Sequence, residues 1–144
     1  MRAVIQRVSN ASVTVDGKIT GQIGKGYLVL LGVGQDDTKA DADRIVKKMV
    51  NLRIFPDEND KINLSLKDVE GSLLVVSQFT LYADCRHGNR PGFTMAAKPE
   101  LANELYEYFM EKCRESIPVV EHGIFGAHMD VALTNDGPFT IILE

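Results

Sequence analysis

Ala11-Ser12-Val13-Thr14-Val15-Asp16-Gly17-Lys18-Ile19-Thr20-Gly21-Gln22-Ile23, followed by Gly24-Lys25-Gly26 and Tyr27-Leu28-Val29-Leu30-Leu31-Gly32-Val33, decides the fold. Ala11, Val13 and Val15 alternate with Ser12, Thr14 and Asp16, the period of a half-buried strand. Asp16-Gly17 is a strong two-residue hairpin signal, and Lys18 to Ile23 forms the returning strand with Ile19 and Ile23 on one face. Gly24-Lys25-Gly26 then turns the chain into a third strand that is apolar on both faces. The pattern is a β-meander. Gly24, Gly26, Gly32 and Gly34 do not make a phosphate loop, because the Lys-Ser/Thr pair and the strand–turn–helix context are both missing.

Downstream, Asp36 or Asp37 is placed to cap a helix from about Thr38 to Leu52. Its buried stripe is Ala42, Ile45, Val46, Met49 and Leu52, with Lys39, Asp43, Lys47 and Lys48 facing water. Arg53-Ile54-Phe55 makes a short strand, and Ile62, Leu64 and Leu66 alternate as another. Asp68 to Gly71 turns into the apolar run Leu73-Leu74-Val75-Val76. A loop covers Ala83 to Ala97. Pro99 suits the first position of a second helix, with Leu101, Leu105, Tyr108 and Phe109 as its apolar face and Pro118 as its stop. Ala127, Met129, Val131 and Leu133 alternate as a strand, and a Gly137-Pro138 turn leads to a last strand, Phe139 to Leu143. No internal repeat, low-complexity segment or linker interrupts this order. Short strands with two helices predict an α+β fold whose sheet is mainly antiparallel and barrel-like.

At 144 residues the chain is predicted to form a single domain, 1–144, large enough for a core without staples. The longest apolar stretch, Tyr27 to Val33, is far too short for a membrane span, and Met1-Arg2-Ala3-Val4 runs straight into strand-like sequence without secretory regions. Cys85 and Cys113 are too few and too separated for a disulfide framework, which predicts a reducing, cytoplasmic setting. The net charge of −4 argues mildly against a general nucleic-acid binder, since phosphate neutralisation favours basic surfaces. A local patch of Arg86, His87, Arg90 and Lys98 works the other way, although the same residues also read as an ordinary solvated loop.

The strand Leu73-Val76 ends in Ser77-Gln78-Phe79-Thr80-Leu81-Tyr82. A strand leaving the core with a hydroxyl, an amide and a second hydroxyl is placed to hold a polar reacting group. A conventional apparatus is missing from the sequence around it. His87, His122 and His128 form no HExxH or similar array, and the cysteines add no CxxC, so neither a metal nor a cofactor is expected. Asp84-Cys85-Arg86-His87 is the strongest competing clue, because Arg86 and His87 could lower the thiol pKa. Residues adjacent in a loop rarely hold the required geometry, and Cys85 reads as incidental.

A second segment, Asn135-Asp136-Gly137-Pro138-Phe139-Thr140, changes the weight of the first. With Met1-Arg2-Ala3-Val4-Ile5-Gln6-Arg7-Val8, Asn89-Arg90-Pro91-Gly92-Phe93 and Phe125-Gly126-Ala127-His128-Met129, the two segments resemble the D-aminoacyl-tRNA deacylases. The order and spacing of these pieces hold over essentially the whole chain. The resemblance implies a homodimer that hydrolyses the ester of D-aminoacyl-tRNA in translational proofreading and spares L-aminoacyl-tRNA.

Carried over by residue, Ser77, Gln78, Phe79 and Thr80 match the family's first motif, with Gln78, Phe79 and Thr80 catalytic and Ser77 binding substrate. Phe79 is then implied to pack on the terminal adenine and Met129 to line the pocket. Gly137 and Pro138 match the second motif, implied to be a cis pair inserted into the partner's site as the chirality filter. Arg86, Arg90 and Lys98 are candidates for tRNA contact. Gly92 stands where the family usually has serine or aspartate, and Phe139 where valine is usual. The ester is already activated, so backbone N–H groups near Gln78 and Phe79 could hold the carbonyl oxygen while the ribose hydroxyl helps activate water. Alternatively Thr80 attacks or orients the water. A non-catalytic RNA-binding module, a Cys85 hydrolase and a purely structural dimer are the remaining alternatives.

Overall fold

In a computed structural model describing residues 1–144, one long strand, β1 (Arg2–Val15), organises the sheet. β2 (Lys18–Ile23) pairs antiparallel with its second half and β3 (Gly26–Gly32) with its first half, the two returns of the expected meander. Asp16 and Gly17 make the first reversal with φ of 50° and 77°, the backbone that a tight hairpin turn requires. α1 (Lys39–Asn51) follows, then the small antiparallel pair β4 (Arg53–Pro56) and β5 (Ile62–Ser65).

β6 (Ser72–Ser77) joins β3 in parallel, and after α2 (Pro99–Arg114) β7 (Val120–His122) joins β6 in parallel. β8 (Asp130–Leu143) runs antiparallel along the other edge of β1. The sheet order is β2-β1-β3-β6-β7, with β8 on β1. The curled ends come together: a Cβ on Gly21 of β2 would lie 2.5 Å from the carbonyl oxygen of His122 in β7. The result is the α+β, mainly antiparallel, nearly closed barrel-like sheet with two helices that the sequence predicts.

Two cores explain the apolar runs. Tyr27, Val29 and Leu31 of β3 and Leu73 and Val75 of β6 face α1 and α2, in one cluster with Ile45, Met49, Leu105 and Phe109. The intervening Leu28, Leu74 and Val76 point into the curl with Val8, Val13 and Ile23. A strand buried on both faces loses polar alternation, and each side chain fully buried in this way contributes about 1.5–3 kcal/mol.

Several local expectations are corrected. Thr38, not Asp36 or Asp37, caps α1: its backbone N–H donates to the Asp41 carboxylate at 2.8 Å. Asp37 accepts instead from the Gly34 amide at 2.6 Å and the Met1 ammonium at 2.7 Å. The buried face of α2 is Ala102, Leu105, Tyr106, Phe109, Met110 and Cys113, while Leu101 and Tyr108 are only half-buried. α2 also ends at Arg114, before Pro118. Ile19 is exposed, beyond a register shift in β2. Gly137-Pro138 does not reverse the chain: it lies inside β8, which continues along β1 on both sides of it.

Candidate functional site

The last rung between β3 and β6 positions the site. Ser77 pairs with Leu31, and the Gln78 amide donates to the Leu31 carbonyl at 2.8 Å. Beyond that bond the chain closes into a one-turn 3-10 helix, Phe79–Tyr82. Gly32 lets this turn seat on β3: an added Cβ would meet Leu81 Cβ at 3.0 Å and the Gln78 carbonyl oxygen at 3.2 Å. Arg2 holds the far end, donating to the Leu81 carbonyl at 2.8 Å with its guanidinium 4.6 Å over the Tyr82 ring.

A cavity of about 590 Å³ opens against this strand end. Ser77, Gln78 and Phe79 form one wall; Phe93 with Ala96 and Ala97 forms another; Phe125, Met129 and Val131 close the third. Phe79 is 54% exposed and meets Phe93 edge-on, ring centroids 5.0 Å apart, which leaves an aromatic lip at the mouth. Gly123 makes room for Met129, since a Cβ there would lie 2.4 Å from the Met129 sulfur.

The polar groups at the wall divide by role. The Gln78 amide is committed to Leu31, so it cannot serve a ligand. The first N–H groups of a helical turn have no acceptor within it, which leaves the amides of Phe79 and Thr80 as donors. Thr80 does not line the cavity. Its hydroxyl accepts a hydrogen bond from the Gln78 side-chain amide, and its own proton stays free to donate. Of the amides expected near Gln78 and Phe79, that of Gln78 is thus taken up by the sheet.

Gly137 and Pro138 lie elsewhere in the same chain. Their peptide bond is cis, and they sit between the rungs Val8–Asn135 and Gln6–Thr140. That places them level with Arg7, Tyr27 and Leu73, four residues or about 13 Å of strand from Ser77. Neither lines the cavity, and both are exposed. Arg7, which the sequence did not single out, braces this segment: Nε donates to the Asp136 carbonyl at 3.0 Å and Nη1 to the Ile54 carbonyl at 2.5 Å. Its guanidinium stands 4.8 Å over the Phe139 ring. Asn135 accepts from the Phe139 amide at 2.7 Å and completes the brace.

The other candidates separate clearly. Arg86 is paired twice to Asp84 at 2.8 Å, and this holds the Asp84 carboxyl down to about 2. Arg90 and Lys98 are exposed and form no ion pair, though they lie on the loop that carries Phe93. Gly92 exchanges two backbone hydrogen bonds with Asp84, at 2.7 and 2.9 Å, so the loop is closed without a side chain at that position. Cys85 is exposed. Burial pushes the Cys113 thiol up to about 12. His128 stands at the rim, 3.8 Å from Asp130. No three His, Cys, Asp or Glu side chains converge as a metal site, and no helix is long and apolar enough to cross a membrane.

Phe93 and Phe125 were quoted in the sequence only as parts of longer runs. Their role as walls follows from loop packing that no local pattern encodes.

Comparison with known proteins bears on the whole chain. The family model described as D-Tyr-tRNA(Tyr) deacylase matches residues 4–144. A D-aminoacyl-tRNA deacylase of Clostridioides difficile (strain 630) is 62% identical over all of this chain and 97% of its own length. One from Thermosipho africanus (strain TCF52B) is 58% identical with the same coverage. Among solved structures, the c-Myc DNA Unwinding Element Binding Protein superposes with a TM-score of 0.95 at 44% identity, covering 100% of this chain and 98% of that one. A probable eukaryotic D-amino acid tRNA deacylase superposes with a TM-score of 0.85 at 20% identity, covering 99% and 97%, a likeness of fold alone.

Proposed function

This chain belongs to the D-Tyr-tRNA(Tyr) deacylase family, and on that premise we propose that residues 1–144 act as one unit that hydrolyses the ester of D-aminoacyl-tRNA, releasing tRNA and the free amino acid in the cytoplasm. The observation that carries the reading is the cavity ending on the Phe79–Tyr82 turn, in a chain whose relatives bear deacylase names.

The chemistry proceeds from main-chain groups. The terminal adenosine stacks on Phe79, with the acyl group against Ser77 and Met129. The carbonyl oxygen accepts from the amides of Phe79 and Thr80 as water attacks. The tetrahedral oxyanion then collapses with departure of the ribose oxygen, which takes a proton. One such donor is typically worth about 2.7–4 kcal/mol of barrier, so two donors acting on an activated ester suffice without a side-chain nucleophile. The vicinal ribose hydroxyl of the substrate assists the water, and Thr80 orients it.

Stereochemical selection comes from Gly137 and Pro138 of a second copy. Their separation from Ser77 within one chain supports a filter supplied by a homodimer partner, as does the unpaired outer edge of β8. Carbonyl oxygens of that pair accept from the substrate α-amino group, and the main chain fills the space an L side chain would need. An apolar pocket distinguishes small groups by only about 1–3 kcal/mol. Exclusion by backbone has no such ceiling and ignores side-chain identity.

The test is single-turnover hydrolysis of D-tyrosyl-, L-tyrosyl- and glycyl-tRNA. Cleavage of the D ester and the glycyl ester, with the L ester intact, is expected. Rapid cleavage of the L ester removes the filter, and an intact D ester would mean a binder rather than an enzyme.

A further inference from the structure

We infer that a basic hollow on α1 is the docking surface for the sugar–phosphate backbone of the substrate's RNA, an inference that rests on the deacylase reading above. The hollow measures about 880 Å³ and is lined by Arg44, Lys47, Lys48 and Arg53, with Asn51 beside them and Asp43 as its single acid. In a chain of net charge −4, such a concentration needs a reason.

Helical spacing supplies the placement. Arg44, Lys47 and Lys48 stand three and four residues apart and so share one face of α1, where like charges repel. All of them are exposed. Lys47 and Lys48 form no ion pair, whereas Arg44 reaches the Asp41 carboxylate at 3.4 Å. Arg53 is oriented by neutral acceptors: the Asn63 carbonyl takes its Nε at 3.1 Å and the Asn63 side-chain oxygen takes Nη2 at 2.6 Å. Its direction is therefore fixed by neutral acceptors rather than by an ion pair, although Asp68 lies near enough to feel its charge. Asp43, the acid within the lining, accepts the Tyr108 hydroxyl at 2.7 Å, and Arg44 is further held by the Glu144 main-chain oxygen at 2.7 Å, so Lys47, Lys48 and Arg53 are the cations without an ion pair. A ridge of cations held apart by the fold is complementary to a chain of phosphates.

The position of the hollow fits the same occupant. The residue after Arg53 is Ile54, whose carbonyl accepts from Arg7, and Arg7 also holds Asp136 beside Gly137. One side chain thus joins the hollow to the Gly137–Pro138 segment. In a dimer where that segment of one copy closes the cavity of another, the hollow that reaches the filter belongs to the copy supplying it, tied to it through Arg7. The RNA leading to the acylated nucleotide runs over the copy that supplies the filter.

The experiment compares Lys47→Glu/Lys48→Glu with Lys18→Glu/Lys67→Glu, which changes net charge equally at exposed lysines outside the hollow. For the hollow variant, KM for D-tyrosyl-tRNA should rise by about tenfold or more. The slope of log affinity for deacylated tRNA against log salt should flatten by about two. D-Tyrosyl-adenosine, which carries no phosphate, reads the cavity alone, and its kcat/KM should separate from that of the tRNA. Arg53→Ala, a milder change, should flatten the slope by about one. Wild-type KM and salt slope in the hollow variant overturn the docking surface, as does an equal loss in the control variant. A wild-type protein that cleaves neither ester overturns the activity reading and the docking surface with it.

Discussion

The Thr80 hydroxyl sits beside the Gln78 side chain and outside the cavity lining, and the proposed reaction gives it the orienting of water rather than attack on the ester. Thr80→Ala should therefore keep its single-turnover rate on D-tyrosyl-tRNA within about tenfold, whereas a terminal 2′-deoxyadenosine should lower the rate far more, since correctly positioned acid–base groups typically contribute about 10²–10⁴-fold. Loss of several orders of magnitude in Thr80→Ala would instead assign the chemistry to threonine. Gly32 makes the complementary case. Alanine there pushes on Leu81 and on the Gln78 carbonyl, at 3.0 and 3.2 Å, and so moves the Phe79–Tyr82 turn whose amides the proposed reaction uses. Gly32→Ala should lower kcat by about tenfold or more through misplacement alone, with KM for tRNA little changed. Cys85 and Cys113 differ in accessibility, so iodoacetamide should label Cys85 alone in the native protein, and Cys113 only after unfolding.

The elements show where sequence patterns suffice. Asp41 ties down the first turn of α1, and the bond from the Thr38 backbone N–H holds its carboxyl below the usual range. Asp41→Ala should cost about 1 kcal/mol in denaturant unfolding. Because the folded-state pKa is depressed, that contribution is present above the ordinary carboxylate pKa and fades as pH falls through it toward the lowered value. The β1–β3 meander, both helices and the polar end of β6 were legible, since each follows from a local period or a turn signal. The buried face of α2 is turned slightly from the expected one: Ala102, Tyr106, Met110 and Cys113 join Leu105 and Phe109, while Leu101 and Tyr108 flank it. Gly137-Pro138 was read as a turn because a Gly-Pro pair looks alike whether the chain reverses or continues. Only the pairing of β8 with β1 decides. The cavity was half legible: Ser77, Gln78 and Phe79 share one strand end, but Phe93 and Phe125 arrive from distant loops.

For the whole molecule, two cores share a single wall. β3 and β6 serve the helices with one face and the curl with the other, so damage on either side reaches the strand that ends in the cavity. Leu74→Ala, fully buried within the curl, should cost about 2–5 kcal/mol and lower activity as well, measurable by thermal melting beside single-turnover assays. The proposed dimer predicts a solution mass near twice 15.9 kDa, with activity falling as dilution separates the copies. The closure of the barrel has a consequence of its own. β2 and β7 touch at Gly21 and His122 without a ladder of hydrogen bonds between them. Such a zipper left open is where the wall breathes, so deuterium should enter the facing amides there before it enters β3 or β6. Gly123, next along the chain, backs Met129, so each opening would loosen one wall of the cavity.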